Sequence, residues 1–423
     1  MVHNVLLLSN SFHNADQPLG DLKVTLQDSE TASSSAQLGQ KLTALTVGMD
    51  HFERQQSGGE GALDSEGLVP IYLGASLVEP KPLSGWVEAE AELTELAQQA
   101  QTLPDGARKV FLSSMIESLG VATNLFQGHT LSYGDKLERL VGVPNEPVSE
   151  AFIGELHTQL DELLAEVGYA RGTLRARVER WEHERVVPRD KLVEVVDELM
   201  LEAKTRTDRL IFPTGDYTMV LEPVRNVPYT ARCNFTEGKM DLNLDLGFSR
   251  SSLKHLVAHE VFPGHATQLL YTLAKAESGE SPPDVLLCTT NGATGAVQEG
   301  IGDQGVHLID WVEDADDALH LALRRLRSAG QTSAAWQLME GSWSEAQTRS
   351  YLGDTVFGQP AWVEGRLRFA QHPFRGPFIA SYWFGDEAVR EVRERSEGQK
   401  DAFIAFLYGQ MNTPESLRMF PDA

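Results

Sequence analysis

The sequence predicts a mainly α-helical protein that carries one small antiparallel β-sheet. Apolar side chains recur at helical spacing through most of the chain, and the alternation typical of strands is confined to residues 212–248. Hydrophobic residues make up 41% of the 423 residues and charged residues 23%, which is an ordinary globular composition. A chain of this length can bury a sizeable core.

Residues 1–37 are rich in Ser, Asn, Asp and Gln, and this polar composition predicts a loose N-terminal leader. Residues 38–211 form the predicted N-terminal helical part. Helical spacing within it predicts helices over residues 38–52, 86–101, 107–126, 148–167 and 191–210.

The small sheet is expected within residues 212–248. Its predicted strands are residues 217–221, 229–235 and 240–244, and Glu237-Gly238 is typical of a hairpin turn. Residues 249–423 are predicted to be helical again and to pack with residues 38–248 as one domain. The predicted helices of this last part cover residues 253–276, 295–312, 315–329, 334–351, 360–370, 377–395 and 400–410.

Charge and composition narrow the choice of partners. The formal net charge of −25 disfavours nucleic acid and anionic membrane surfaces. Two cysteines, Cys233 and Cys288, do not make the disulfide framework of a secreted protein, and no apolar run reaches the about 18 residues of a membrane span. We therefore expect a cytoplasmic protein without a membrane or nucleic-acid partner.

The segment His259-Glu260-Val261-Phe262-Pro263-Gly264-His265 concentrates metal-binding chemistry. Histidines bind zinc well, and a neighbouring carboxylate can act as a general base. On a regular helix, residues six apart are rotated by about 600°, so the two rings would point roughly 120° apart. Pro263 and Gly264 both break helices, so a bulge or a restart with Pro263 at the first helical position would let both histidines face one metal.

Two alternatives remain open from spacing alone. The segment is also compatible with a kinked core helix whose histidines make ordinary hydrogen bonds. His255 and His259 are four residues apart and form a rival ligand pair on one helix face.

Three segments, in this order, resemble the bacterial family called domain of unknown function 885, over roughly residues 210 to 400. HEVFPGH with Gln268 is similar to its HExxPGHxxQ segment, and Gln298-Glu299-Gly300 to its EGWALY-type segment. Ser381-Tyr382-Trp383-Phe384-Gly385, continuing to Arg395, is similar to its SYxxG…LRE segment. The family is thought to share its helical fold with zinc metallocarboxypeptidases of the carboxypeptidase Taq type.

The resemblance implies an elongated, helical, zincin-like fold and a zinc-dependent hydrolase, close to a metallopeptidase or carboxypeptidase, acting on a peptide or small amide. One Zn²⁺ per chain would be held by His259, His265 and Glu299. Glu260 would be the general base toward a metal-activated water, and Tyr382 the donor to the oxyanion. Four neighbouring residues are candidates for holding a substrate carboxylate: Arg366, Arg368, His372 and Arg375.

The chain also departs from the family pattern. Ile301, Gly302, Asp303 and Gln304 replace the family's Trp, small, apolar and Tyr residues, Ala266 replaces a second histidine, and Trp383 replaces a lysine. Asp303 is either a partner for a ligand histidine or a solvated acid. The departures leave room for a hydrolase of a small non-peptide amide or for a degenerate, non-catalytic binding protein. Retention of Glu260 argues against the latter.

Overall fold

The structure, a computed structural model, describes residues 26–58, 63, 67–227 and 230–422. The predicted elongated, mainly helical fold fits it. Its α-helices are α1 (Leu26–Ser57), α2 (Trp86–Gln101), α3 (Ala107–Phe126), α4 (Tyr133–Asp135), α5 (Glu150–Glu166), α6 (Leu174–Glu184), α7 (Leu192–Leu210), α8 (Arg250–Glu260), α9 (His265–Glu277), α10 (Gly295–Asp303), α11 (Gly305–Leu308), α12 (Ala315–Met339), α13 (Glu345–Asp354), α14 (Pro360–Ala370), α15 (Ser381–Arg395), α16 (Lys400–Tyr408) and α17 (Pro414–Arg418).

Helices with a regular apolar stripe have the bounds that the sequence predicts. Helices α2, α3 and α14 begin and end at the predicted residues, and α5 and α7 differ from prediction by only a few residues at their ends. Helix α6 was not predicted, because its buried face consists only of Arg177, Val178 and Trp181 in an otherwise polar segment. The predicted break after residue 329 is also wrong, since α12 continues through Gly330.

Helix α1 begins at Leu26, so residues 26–37 of the predicted leader belong to it. Residues 1–25 lie outside the described part of the chain. Helix α1 continues through the predicted helix over residues 38–52, and its buried side chains include Leu38, Leu42 and Leu45. These leucines recur every three to four residues, so one face of α1 packs into the core.

The predicted sheet is present, but it is mixed rather than antiparallel. Strands β2 (Val220–Val224), β3 (Ala231–Asn234) and β4 (Lys239–Asn243) lie in the order β2-β4-β3. The β3–β4 hairpin is antiparallel as predicted, whereas β2 runs parallel to β4. A short antiparallel pair, β1 (Ile71–Tyr72) with β5 (Leu287–Cys288), joins two distant segments.

The N-terminal and C-terminal helices share buried apolar residues. One cluster of buried side chains extends from Leu38 in α1 to Met411 after α16. A second cluster joins α7, the three-stranded sheet and α8, and a third joins α9, α10, α15, α16 and α17. Helices α8, α9, α10 and α15 therefore meet where these clusters adjoin, and they carry the site described next. None of the described helices is both long and apolar enough to cross a membrane.

Candidate metal centre

The predicted helix over residues 253–276 is broken inside the HEVFPGH segment. Helix α8 ends at Glu260 and α9 restarts at His265, so the predicted distortion is confirmed, although the restart is not at Pro263. The peptide bond between Phe262 and Pro263 is cis. A Cβ on Gly264 would lie 1.7 Å from the carbonyl oxygen of His259, so only glycine fits this tight reversal.

This break brings the two histidines together. The ring centroids of His259 and His265 lie 4.8 Å apart, with the rings nearly perpendicular. Glu299, on α10, approaches both rings: its Oε2 lies 3.3 Å from His259 Nε2 and 3.9 Å from His265 Nε2. Ligands of tetrahedral zinc at about 2.0–2.2 Å lie roughly 3.3 Å from one another, so these separations suit a metal ion.

The surroundings of Glu299 also suit a cation. Glu299 is buried, and its Oε2 accepts no hydrogen bond from any described residue. A buried carboxylate oxygen without a donor is costly, and a metal ion would satisfy it. The set of two imidazoles and one carboxylate is the donor set of several catalytic zinc sites. The residues present therefore fit a zinc ion.

His259 is held from its other side by Asp303. The His259 Nδ1 atom lies 3.0 Å from Asp303 Oδ1, and Arg324 contacts the same oxygen at 2.6 Å. Burial opposes protonation of His259, but the hydrogen bond to Asp303 and the nearby carboxylate of Glu299 raise its pKa to about 10. The carboxylates of Asp303 and Glu299 thus favour the positively charged form of the His259 ring. An acceptor on Nδ1 also fixes the ring with Nε2 turned toward Glu299.

Helix α10 comes close to α15 because both helices carry glycine at the contact. A Cβ on Gly300 would lie 2.2 Å from the carbonyl oxygen of Gly385, and a Cβ on Gly385 would lie 1.8 Å from that of Ala296. This contact joins the second and third motif segments of the sequence. It carries Tyr382, at the start of α15, into the cavity lined by Glu299.

Tyr382 lies in the electrostatic field of the centre. Burial raises the pKa of its hydroxyl above the ordinary value, and the charge of Glu299 raises it further. The hydroxyl therefore stays protonated and is available as a donor. Its ring packs edge-on against Phe378, with centroids 5.9 Å apart.

Glu260 is the last residue of α8 and is buried. Its side chain lies beside Cys233 of β3: burial raises the pKa of that thiol well above its ordinary value, and the charge of Glu260 raises it further. The charge of Glu260 also raises the pKa of Tyr382. The predicted general base therefore lies beside the sheet and acts on the predicted oxyanion donor only through its charge.

The rival cluster of His255, His259 and Asp303 also brings three donors within 4.8 Å of one another. It adjoins a space of only about 20 Å³, lined by His255, Asp303 and Arg324 among others. Burial lowers the pKa of His255 to about 3, and the charge of Arg324 lowers it as well. A cation there would face the guanidinium of Arg324, so this cluster is the less suitable of the two.

A cavity of about 490 Å³ opens onto the centre, and His265 and Glu299 belong to its wall. Three of the predicted substrate residues, Arg366, Arg368 and Arg375, line it as well. The fourth, His372, is not among the residues that line the cavity, and its Nδ1 accepts the backbone N–H groups of Phe374 and Arg375. That role is structural, because it stabilises the turn after α14.

The residues that depart from the family pattern have identifiable places. Ile301 is buried and lines the cavity. Gly302 packs under the ring of His259, where a Cβ would lie 2.7 Å from Nδ1. Gln304 donates from Nε2 to Asp386 at 2.5 Å and accepts from Arg393. Asp303 is the partner of His259 rather than a solvated acid.

Comparison with known proteins adds information on the fold alone. No family model and no curated protein matches the chain. The chain is similar to the crystal structure of a candidate lipoprotein from Colwellia psychrerythraea, with a TM-score of 0.55 and 15% identity over 79% of this chain and 66% of that one. It is also similar to a candidate lipoprotein of unknown function from Shewanella oneidensis, with a TM-score of 0.53 and 16% identity over 79% of this chain and 70% of that one.

Proposed function

We propose that the protein is a zinc-dependent hydrolase of the metallopeptidase type, acting on a peptide or small amide. The observation that carries this proposal is the convergence of His259, His265 and the donor-free Oε2 of Glu299 beside a cavity of about 490 Å³. Cavities of roughly 300–1,000 Å³ are typical of sites for small ligands.

Each nearby residue has a distinct role in the proposal. His259, His265 and Glu299 would hold the ion, and Asp303 keeps His259 in the required orientation. Zinc in such a site supplies a Lewis acid that activates water and polarises the substrate carbonyl. Glu260 takes the proton from water and passes it to the leaving amine. Tyr382 donates its hydroxyl hydrogen to the developing oxyanion.

Two measurements test the proposal. Metal analysis of protein purified without chelator should give about one zinc ion per chain. Hydrolysis should then be measured on matched peptide and small-amide substrates, before and after removal of the metal. Protein that binds no metal, or whose hydrolysis is unaffected by its removal and return, would contradict the proposal.

A further inference from the structure

Arg366 differs from two other partly buried arginines, Arg108 and Arg325, in lacking an acidic partner among the described residues. Arg108 donates two hydrogen bonds to Asp284, at 2.6 and 2.8 Å, and Arg325 contacts Asp386 at 2.6 Å. Arg366 forms no ion pair within the described ranges of the chain. Its one hydrogen bond to a described residue runs from Nη1 to the side-chain amide oxygen of Gln331, at 3.3 Å.

The environment of Arg366 leaves its charge uncompensated. Its guanidinium lies over the rings of Trp362 and Phe369, at 5.6 and 5.7 Å from their centroids. Its Nε is buried and has no hydrogen-bond partner among the described residues. Burial lowers the pKa of the group, yet an arginine remains charged at neutral pH. A buried charge of this kind is costly unless a counter-ion joins it.

Because acidic side chains are abundant in this chain, the lack of an ion pair between Arg366 and any described residue is informative. The chain has 61 acidic and 36 basic side chains, so potential partners are abundant. Arg366 nevertheless faces the cavity that His265, Glu299 and Tyr382 also line. The charges of Glu299 and Arg366 both act on the hydroxyl of Tyr382: Glu299 raises its pKa and Arg366 lowers it.

We infer that Arg366 is the anchor for a carboxylate of the substrate, so that the enzyme acts on molecules with a free carboxylate close to the scissile amide. A guanidinium offers two parallel N–H donors that match a carboxylate. The carboxylate could come from the C terminus of a peptide or from an N-acyl amino acid, and both present the same group. The reaction named in this inference rests on the proposed hydrolase function, whereas the inference itself concerns how the substrate binds.

The test uses hydrolysis-resistant ligands, so that binding is measured apart from turnover. The first probe is a dipeptide whose amide is reduced to CH₂–NH and whose C-terminal carboxylate is free; the second is the same molecule ending in a carboxamide. Titration calorimetry on the full chain should show the carboxylate form binding at least about tenfold more tightly, as expected for a charge-assisted contact. Equal affinities would overturn the inference without recourse to any variant.

Variants then assign the preference to Arg366. Arg366→Gln should abolish the difference between the two probes, and Arg366→Lys should restore part of it because the charge returns without the planar fork. Arg171→Gln removes the same charge from an exposed position and should leave the preference unchanged. A full preference retained in folded Arg366→Gln protein would overturn the assignment.

Two further comparisons separate the possible outcomes. A probe lacking the N-terminal amine will bind more tightly than the dipeptide probe if the natural ligand is an N-acyl amino acid, and more weakly if it is a peptide. Zinc content is measured on the same samples. A carboxylate preference without bound zinc would contradict the hydrolase proposal but support the carboxylate subsite. Bound zinc without the carboxylate preference would support the hydrolase proposal but contradict the subsite.

Discussion

Two clusters of histidine and carboxylate side chains lie on opposite sides of the His259 ring. The front cluster joins His259 Nε2 to His265 and Glu299, and the rear cluster joins His259 Nδ1 to His255 and Asp303. Both contain two histidines and one acid. The front cluster faces a cavity of about 490 Å³ and has an oxygen without a donor, whereas the rear one has Arg324 and a space of about 20 Å³.

The difference between the clusters teaches that ligand types alone do not make a metal site. At the rear, Arg324 already supplies the positive charge that Asp303 needs, and its charge helps to hold the pKa of that acid well below the usual range although burial would raise it. At the front, no described arginine or lysine forms an ion pair with Glu299, and only the rings of His259 and His265 approach its inner oxygen. A cation is therefore expected at the front, and the rear cluster is expected to hold His259 in place.

The sharpest test of this comparison is a pair of histidine substitutions. His265→Ala should lower the zinc content from about one ion per chain to none, because it removes one of three ligands. His255→Ala should keep the zinc, because it alters only the rear cluster. Metal analysis of both purified variants measures this, and loss of zinc from the His255 variant alone would reverse the assignment of the two clusters.

The second prediction concerns Glu260, the proposed general base. Glu260→Gln should keep the metal and lower kcat by about 10²–10⁴-fold, the usual contribution of a general base. Steady-state kinetics normalised to bound zinc provides the measurement. If this variant loses zinc but keeps its activity per bound ion, Glu260 is a ligand and not a base.

The third prediction concerns Tyr382. Tyr382→Phe should lower kcat by about 10²–10³-fold with little change in KM, because the hydroxyl donates to a charge that develops only in the transition state. The phenylalanine ring keeps the packing against Phe378. A change in KM with unaltered kcat would instead make Tyr382 a residue for ground-state binding.

A smaller effect is expected from the rear cluster. Asp303→Asn should weaken zinc binding by about 10–100-fold without abolishing it, since Asp303 orients a ligand rather than being one. Competition with a chelator of known affinity measures the change. Zinc affinity equal to that of the unaltered protein would show that the rear cluster does not support the front one.

The smallest effect concerns the contact that brings α15 to the centre. Gly385→Ala should lower the free energy of unfolding by about 1–3 kcal/mol, because the new methyl group meets the backbone of Ala296. Gly154→Ala is a matched control, because it lies in helix α5 and has open space around it, and it should raise stability by roughly 0.5–1 kcal/mol. Urea unfolding of both variants gives the comparison, and equal stabilities would mean that the α10–α15 contact tolerates a side chain.

Much of the candidate site could be predicted because its signals are local. Pro263 and Gly264 lie inside the segment they break, so the sequence alone indicated the distortion that brings His265 to His259. Glu299 and Tyr382 came from the family resemblance, since neither stands out by spacing. His372 does not line the cavity, because proximity in sequence to Arg366 and Arg375 does not place a side chain beside theirs.

The sequence by itself determined the mainly helical class, the bounds of α2 and α3 and the break between α8 and α9. These features depend on side-chain periodicity and on backbone restrictions of single residues. Only the tertiary structure decided that β2 runs parallel to β4, that α10 and α15 meet through Gly300 and Gly385, and that Arg366 forms no ion pair with the acids that the structure describes. Those features depend on contacts between residues far apart in the chain, which no local pattern encodes.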